Sequence, residues 1–399
     1  MRDAERTLIV AGLVFGLATE LGYLPTARPP HDALGDLIGR DFVNVWMTAR
    51  AALEGHLASY FDPAAYNAAL ERIFGPVPGY NLSYPPHAAL FVRPLALLPY
   101  PPAYAVWCLT GCAALAAAGF AAGLRGAGLR LLLTAPAVAM NLLTGQNGFF
   151  TAALLIGGLA LLDRRPLAAG LLIGLLSVKP QLGLLMPLML ALTGRWRVIA
   201  AAGATASALV AVASAVFGID VWTNYVSVAL PVQRAVLQQG GGIMLAMMPT
   251  PFVNMRVAGL PLEAAWAVQG LVSAAAVAAV VWTFARRRDP TLSLALFVMT
   301  SFLATPYAFN YDMVVFGVVI ALLAMREDRT SLDRGLAVAV WALPAGALLL
   351  GIVGVPGSSL VLLAFAARLL QRLAREARDA VEAPSAAGPL NPAASRAAA

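Results

Sequence analysis

Apolar stretches of membrane-spanning length, closed by arginines, recur through this sequence from residue 7 to residue 372. A helix rises 1.5 Å per residue and the hydrocarbon core of a bilayer is about 30 Å thick, so a spanning helix needs about 20 apolar residues. Residues 7–24, 102–124, 198–217, 263–285, 333–352 and 356–372 are read as spans on that measure. Three longer stretches, 128–162, 166–194 and 291–325, have basic residues at both ends and a polar break in the middle. The breaks are Thr144 to Gly148, Lys179 to Gln181, and Thr305 to Asp312. Because Lys and Arg concentrate in cytoplasmic loops, a single crossing would leave one arginine end of each stretch on the wrong side. Each is therefore read as a hairpin, which gives about 12 crossings with both termini cytoplasmic.

Composition supports a membrane solvent. The chain is 60% hydrophobic and 12% charged, with mean hydropathy +0.78, whereas soluble domains average about 25% charged residues. The net charge of +7 is spread over short loops and forms no patch for nucleic acid. The expected fold is an all-α integral membrane bundle, one polytopic unit over residues 1–378, followed by a disordered cytoplasmic tail at 379–399. Pro29 and Pro30 crowd the cleavage region of a signal peptide, so the first span is read as an uncleaved anchor. Cys108 and Cys112 share a helix face inside an apolar run and are read as packed free thiols. Three histidines with no metal-type cluster argue against a zinc site.

Residues 25–100 and 218–262 are read as periplasmic loops. The first carries Asp36, Arg40, Asp41, Glu54, Asp62 and Glu71, too polar to span and too patterned for a linker. Phe42, Val45, Trp46, Ala49 and Leu53 lie at helical spacing and predict an amphipathic helix over 42–58. Asp62-Pro63 reads as an N-cap with proline at the first helical position, opening a helix through Phe74. The hairpin arms, about 13 to 17 residues each, are too short to bring their tips to the outer surface. Irregular backbone at membrane depth persists only when buried in protein or lining a wet cavity. The three polar tips are therefore expected to meet in one vestibule under the first loop.

That vestibule holds the candidates for chemistry. Lys179 is the only lysine of the chain and lies inside an apolar stretch. An ammonium at membrane depth suggests a partner such as a lipid phosphate, or a side chain snorkelling to headgroups. Arg93 is a second candidate for a phosphate. Asp41 opens the amphipathic helix, where it could act as a general base or merely favour the helix dipole; Asp36 is its nearest competitor. Arg40, Tyr84, His87, Gln146, Asn147, Gln181, Asn310, Tyr311 and Asp312 are candidate contacts for sugar or acceptor, although such groups can also join helices to one another.

The ordered set Gly39-Arg40-Asp41-Phe42, Tyr60 with Asp62-Pro63, Tyr84-Pro85-Pro86, Thr144-Gly145-Gln146-Asn147, Lys179-Pro180-Gln181 and Thr305-Pro306-Tyr307 through Asp312 resembles glycosyltransferase family 87, over roughly residues 35–330. These are polyprenyl-phosphate-mannose-dependent mannosyltransferases of the GT-C superfamily. The resemblance implies a GT-C type bundle and inverting transfer of a hexose from a polyprenyl-phosphate sugar to a lipid or glycan acceptor, without a cofactor. It implies a base matching Asp41, an active site facing the periplasm, and residence in a bacterial inner membrane. Characterised members carry histidine near the last hairpin tip, where this chain has Tyr311 and Asp312, which leaves open the group that meets the carrier phosphate. The alternative reading is a transporter or flippase of lipid-linked sugars, since broken helices with polar tips also build transport sites.

Overall fold

The computed structural model describes residues 3–286 and 288–382, and among them the only extended pairing is two isolated bridges joining Arg28, His31 and Leu37. Helix α1 (Asp3–Tyr23) leads into a first loop built from α2 (Phe42–Glu54), α3 (Pro63–Phe74) and α4 (Ala88–Val92). The bundle continues with α5 (Tyr100–Ala121), α6 (Gly126–Leu133), α7 (Pro136–Thr144), α8 (Gly148–Leu161), α9 (Pro166–Leu175), α10 (Met186–Leu192) and α11 (Trp196–Phe217). A second loop holds α12 (Asp220–Asn224), a π-helical turn at Tyr225–Ala229, α13 (Leu230–Gln239), α14 (Ile243–Ala246) and α15 (Pro251–Val257). Helices α16 (Leu262–Phe284), α17 (Pro290–Leu303), α18 (Val314–Ala324), α19 (Ser331–Ile352) and α20 (Ser358–Glu382) complete the order.

Helix starts follow local chemistry. Proline occupies the first turn of α3, α7, α9, α15 and α17, where its missing N–H would have lacked an intrahelical partner anyway. The Asp62 carboxylate accepts the Ala65 N–H at 2.9 Å and that of Asp289 accepts the Leu292 N–H at 2.8 Å, each satisfying one orphan donor of the opening turn. Helix α2 stops at Gly55, which adopts φ 80°, so it is shorter than the 42–58 read from the pattern.

Four helices, α5, α11, α16 and α19, are long and apolar enough to cross a membrane, and the bent pair α6 and α7, turning by 43°, makes a fifth. By length and composition, these helices do not show the expected 12 crossings. The reason lies in the arms: α8, α9, α10, α17 and α18 have 14, 10, 7, 14 and 11 residues. At 1.5 Å per residue these reach roughly 10 to 21 Å, short of a core about 30 Å thick. The tail expectation is also revised at its start, because α20 continues to Glu382; residues 383–399 lie outside the described residues.

The first loop has its own apolar core, in which Phe42, Trp46, Tyr66 and Leu70 are buried with Tyr100 from α5. The Trp46 and Tyr100 rings meet edge to face at 5.6 Å, an arrangement the ring quadrupoles favour. A third cluster, around Phe252, Leu237, Phe309 and Tyr311, ties the second loop to the break after α17. Asn310 Nδ2 donates to the Pro344 carbonyl of α19 at 2.9 Å. Pro344 sits about eight residues before the end of that spanning helix, so this break lies roughly 12 Å below it. Both loops and all three breaks thus converge within the same end of the bundle.

Candidate active site

Three segments far apart in the chain are brought together by close backbone approach. Gly145, at φ 59°, leaves no room for a side chain: a Cβ there would fall 2.4 Å from the Cβ of Phe42 and 2.9 Å from the Gly39 carbonyl. At Gly148 a Cβ would fall 2.2 Å from the Tyr311 carbonyl. Glycine is the residue that permits both contacts. Trp107 Nε1 donates to the Gly145 carbonyl at 2.9 Å, and Asn141 Nδ2 donates to the Tyr311 carbonyl at 2.6 Å. The break after α7 is thereby pressed against the start of α2 on one side and the break after α17 on the other.

Asp41 immediately precedes α2, but its side chain makes no cap. Instead Oδ2 accepts from Gln146 Nε2 at 2.7 Å, while Gln146 Oε1 accepts the Tyr84 hydroxyl at 3.0 Å. The tyrosine bond fixes the amide so that its NH₂ faces the carboxylate. Among the described residues Asp41 Oδ1 has no hydrogen-bond partner, and the residue lines the cavity described below. Burial raises the Asp41 carboxyl above its ordinary value, opposed by the Gln146 bond and by the Lys179 and Arg40 charges. Asp36, the competing carboxylate, is ion-paired with Arg40, as is Asp32 at 2.9 Å. Arg40 also lies over the Tyr23 ring at 5.1 Å; this sequence candidate for sugar contact is held in the turn before α2.

Lys179 stands between two 3₁₀ turns, Leu176–Val178 and Pro180–Gly183, and is 5% exposed. Its Nζ donates to Asp312 Oδ1 at 2.5 Å and to Asn147 Oδ1 at 3.3 Å, and lies 4.9 Å from the Tyr311 ring centre. Asp312 is 1% exposed, and its other oxygen accepts the Phe309 N–H at 3.0 Å. The three breaks thus join through a buried, hydrogen-bonded ion pair, in which each charge satisfies the other. Snorkelling does not describe this lysine.

Above the pair lies a cavity of about 770 Å³. Asp41, Asn44, Tyr80 and Tyr84 line it from the first loop, Gln146, Lys179, Gln181, Tyr307 and Tyr311 from the breaks, and Gln233, Arg234, Met244 and Met247 from the second loop, with Trp266 of α16. An apolar groove of about 680 Å³ adjoins it, walled by Phe91, Trp107, Phe150, Leu154 and Leu172. Tyr84 and Val178 border both spaces, and Asn147 faces the groove while bonding Lys179.

The other sequence candidates lie elsewhere. Arg93 is exposed at the start of the 3₁₀ segment Arg93–Leu97 and borders neither space. His87 is buried, its Nε2 3.1 Å from Ser177 Oγ and its ring stacked on Trp222 at 5.8 Å; burial lowers its basicity. Asn310 is buried against α19. Sequence reasoning did not find Asn44, Gln233, Arg234 or Trp266. The second loop had read only as polar, and the one signal it offered was Gln233-Arg234 on an otherwise apolar turn.

The sequence model of glycosyltransferase family 87 matches residues 82–306, more than half of the chain and including Tyr84, Gln146, Lys179 and Arg234. Neither a curated protein nor a solved structure matches. With a helical bundle, short helices broken at buried polar residues and a carboxylate facing a cavity, the chain belongs to glycosyltransferase family 87 and is a membrane glycosyltransferase.

Proposed function

We propose that this enzyme transfers a hexose from a polyprenyl-phosphate sugar to a lipid or glycan acceptor, with inversion, at the periplasmic face of a bacterial inner membrane. The observation that carries the reading is the junction of the two spaces. The cavity holding Asp41 lies against an apolar groove large enough for several isoprene units, and Tyr84 and Val178 line both. A donor with a charged headgroup and a long apolar tail has both environments supplied side by side. The family resemblance favours mannose as the sugar.

Asp41 Oδ1, free of other bonds, accepts the proton of the acceptor hydroxyl as that oxygen attacks the anomeric carbon. The new C–O bond forms on one face while the bond from carbon to phosphate oxygen breaks on the other, and the electron pair leaves with the phosphate. Gln146 and Tyr84 hold the carboxylate in place. Burial raises the basicity of Asp41, which suits a group that must take a proton from an alcohol while the site develops oxocarbenium character.

The periplasmic assignment rests on the arginines of the short loops, such as Arg164, Arg195 and Arg326. Purified protein incubated with a polyprenyl-phosphate hexose and extracted envelope glycolipids tests the reading. Sugar appearing on an acceptor, in detergent and with no second compartment, supports it; an intact donor after prolonged incubation contradicts it.

A further inference from the structure

Resting on that reading, we propose that Arg234 is the cation that contacts the phosphate of the lipid donor. Lys179 is the cation that sequence inspection favours, yet its charge is already met by Asp312 at 2.5 Å in a buried ion pair. With Asp41 ionised, as a general base must be, the centre formed by Lys179, Asp312 and Asp41 carries a net negative charge. Such a centre repels an anionic donor unless another cation faces the cavity.

Among the described residues, Lys179 and Arg234 are the only lysine or arginine side chains that line the cavity. Arg40 is paired with Asp32 and Asp36, Arg50 with Glu54, and Arg256 Nη1 donates to the Leu237 and Gly240 carbonyls at 2.9 and 3.2 Å. Arg93 borders neither space. Arg234 lines the cavity, is exposed to it, and has no ion pair or hydrogen bond among the described residues.

Its carrier helix is held in place. Gln233, its neighbour on α13, donates to the Ser83 carbonyl of the first loop at 2.8 Å, and Arg256 fastens the end of α13. Arg234 therefore lines the cavity from a backbone anchored on two sides. Guanidinium presents a planar fork of donors that matches a phosphate with two parallel bonds and is not lost to deprotonation.

The test uses radiolabelled undecaprenyl phosphate and undecaprenol, which share a tail and differ in the phosphate, binding to purified parent, Arg234→Gln and Arg234→Lys proteins. Removal of a charge-assisted contact is expected to weaken undecaprenyl phosphate binding by about 10- to 100-fold in Arg234→Gln. Arg234→Lys should fall between it and the parent, undecaprenol binding should be unchanged, and the melting temperature should be the same in all three. Parent-like binding of undecaprenyl phosphate by Arg234→Gln overturns the assignment, as does an equal loss for both probes, which would mark a structural role. A parent protein that binds neither probe removes the lipid-donor reading itself, and Arg234 with it.

Discussion

Replacing Lys179 by methionine should cost the fold more than it costs any single contact. The lysine is 5% exposed and Asp312 is 1% exposed, 2.5 Å apart, so Lys179→Met leaves a buried carboxylate without its counter-charge. Breaking a buried pair by removing one partner typically costs about 3–5 kcal/mol, whereas replacing both members is often neutral. Asp312→Asn is the matching change, because the amide oxygen still accepts the Phe309 N–H. The double variant, Lys179→Met with Asp312→Asn, should regain most of the loss of Lys179→Met, a coupling of about 2 kcal/mol or more for groups in contact. The assay is equilibrium unfolding in mixed detergent micelles, followed by tryptophan fluorescence. If the double variant is as unstable as the two single losses summed, the residues do not act as a pair and the charge argument for Arg234 loses its premise.

Other expectations follow from the same geometry. The Gln146 bond lowers the Asp41 carboxyl while burial raises it; a general base works only when deprotonated, so Gln146→Leu should shift the acid limb of the kcat/KM profile to higher pH, and an unmoved limb would separate the two residues. Gly145→Ala should destabilise the protein by about 1 kcal/mol or more, because the residue has φ 59° and its Cβ would fall 2.4 Å from Phe42, with a parent-like melting temperature as the contrary result. For the topology, single cysteines at positions 164 and 286 should resist a membrane-impermeant reagent applied to the periplasmic side of intact cells, while one at position 34 should react; labelling at 164 would invert the orientation.

Much of the site was legible because polar residues inside apolar stretches are costly and therefore conspicuous. Thr144 to Gly148, Lys179 to Gln181 and Thr305 to Asp312 stand out on that ground, and the structure breaks its helices there and joins them. Partnership was not legible. Lys179 and Asp312 are 133 residues apart, and no local pattern says that the lysine's charge is spent on a carboxylate rather than kept for a ligand. Gln146 looked like a sugar contact for the same reason, and its role in holding Asp41 appears only when the first loop closes onto the break. Arg234 was hidden in a polar loop, where an arginine is ordinary. The crossing count is the part that length leaves unsupported: arginines mark where loops lie, but a helix as short as the seven residues of α10 satisfies the charge pattern without having spanning length.

The central claim is that Asp41 takes the acceptor proton, and the direct measurement is sugar transfer by purified Asp41→Asn protein, with donor binding measured on the same preparation. General-base assistance is typically worth about 10²- to 10⁴-fold, and asparagine keeps the shape of the carboxylate while losing its basicity. Transfer should fall by about that factor while the melting temperature and undecaprenyl phosphate binding stay close to the parent. Asp36→Asn, which removes an ion-pair partner of Arg40 in the turn before α2, should retain most of the activity. Parent-like transfer by Asp41→Asn, or an equal loss in both variants, would contradict the assignment.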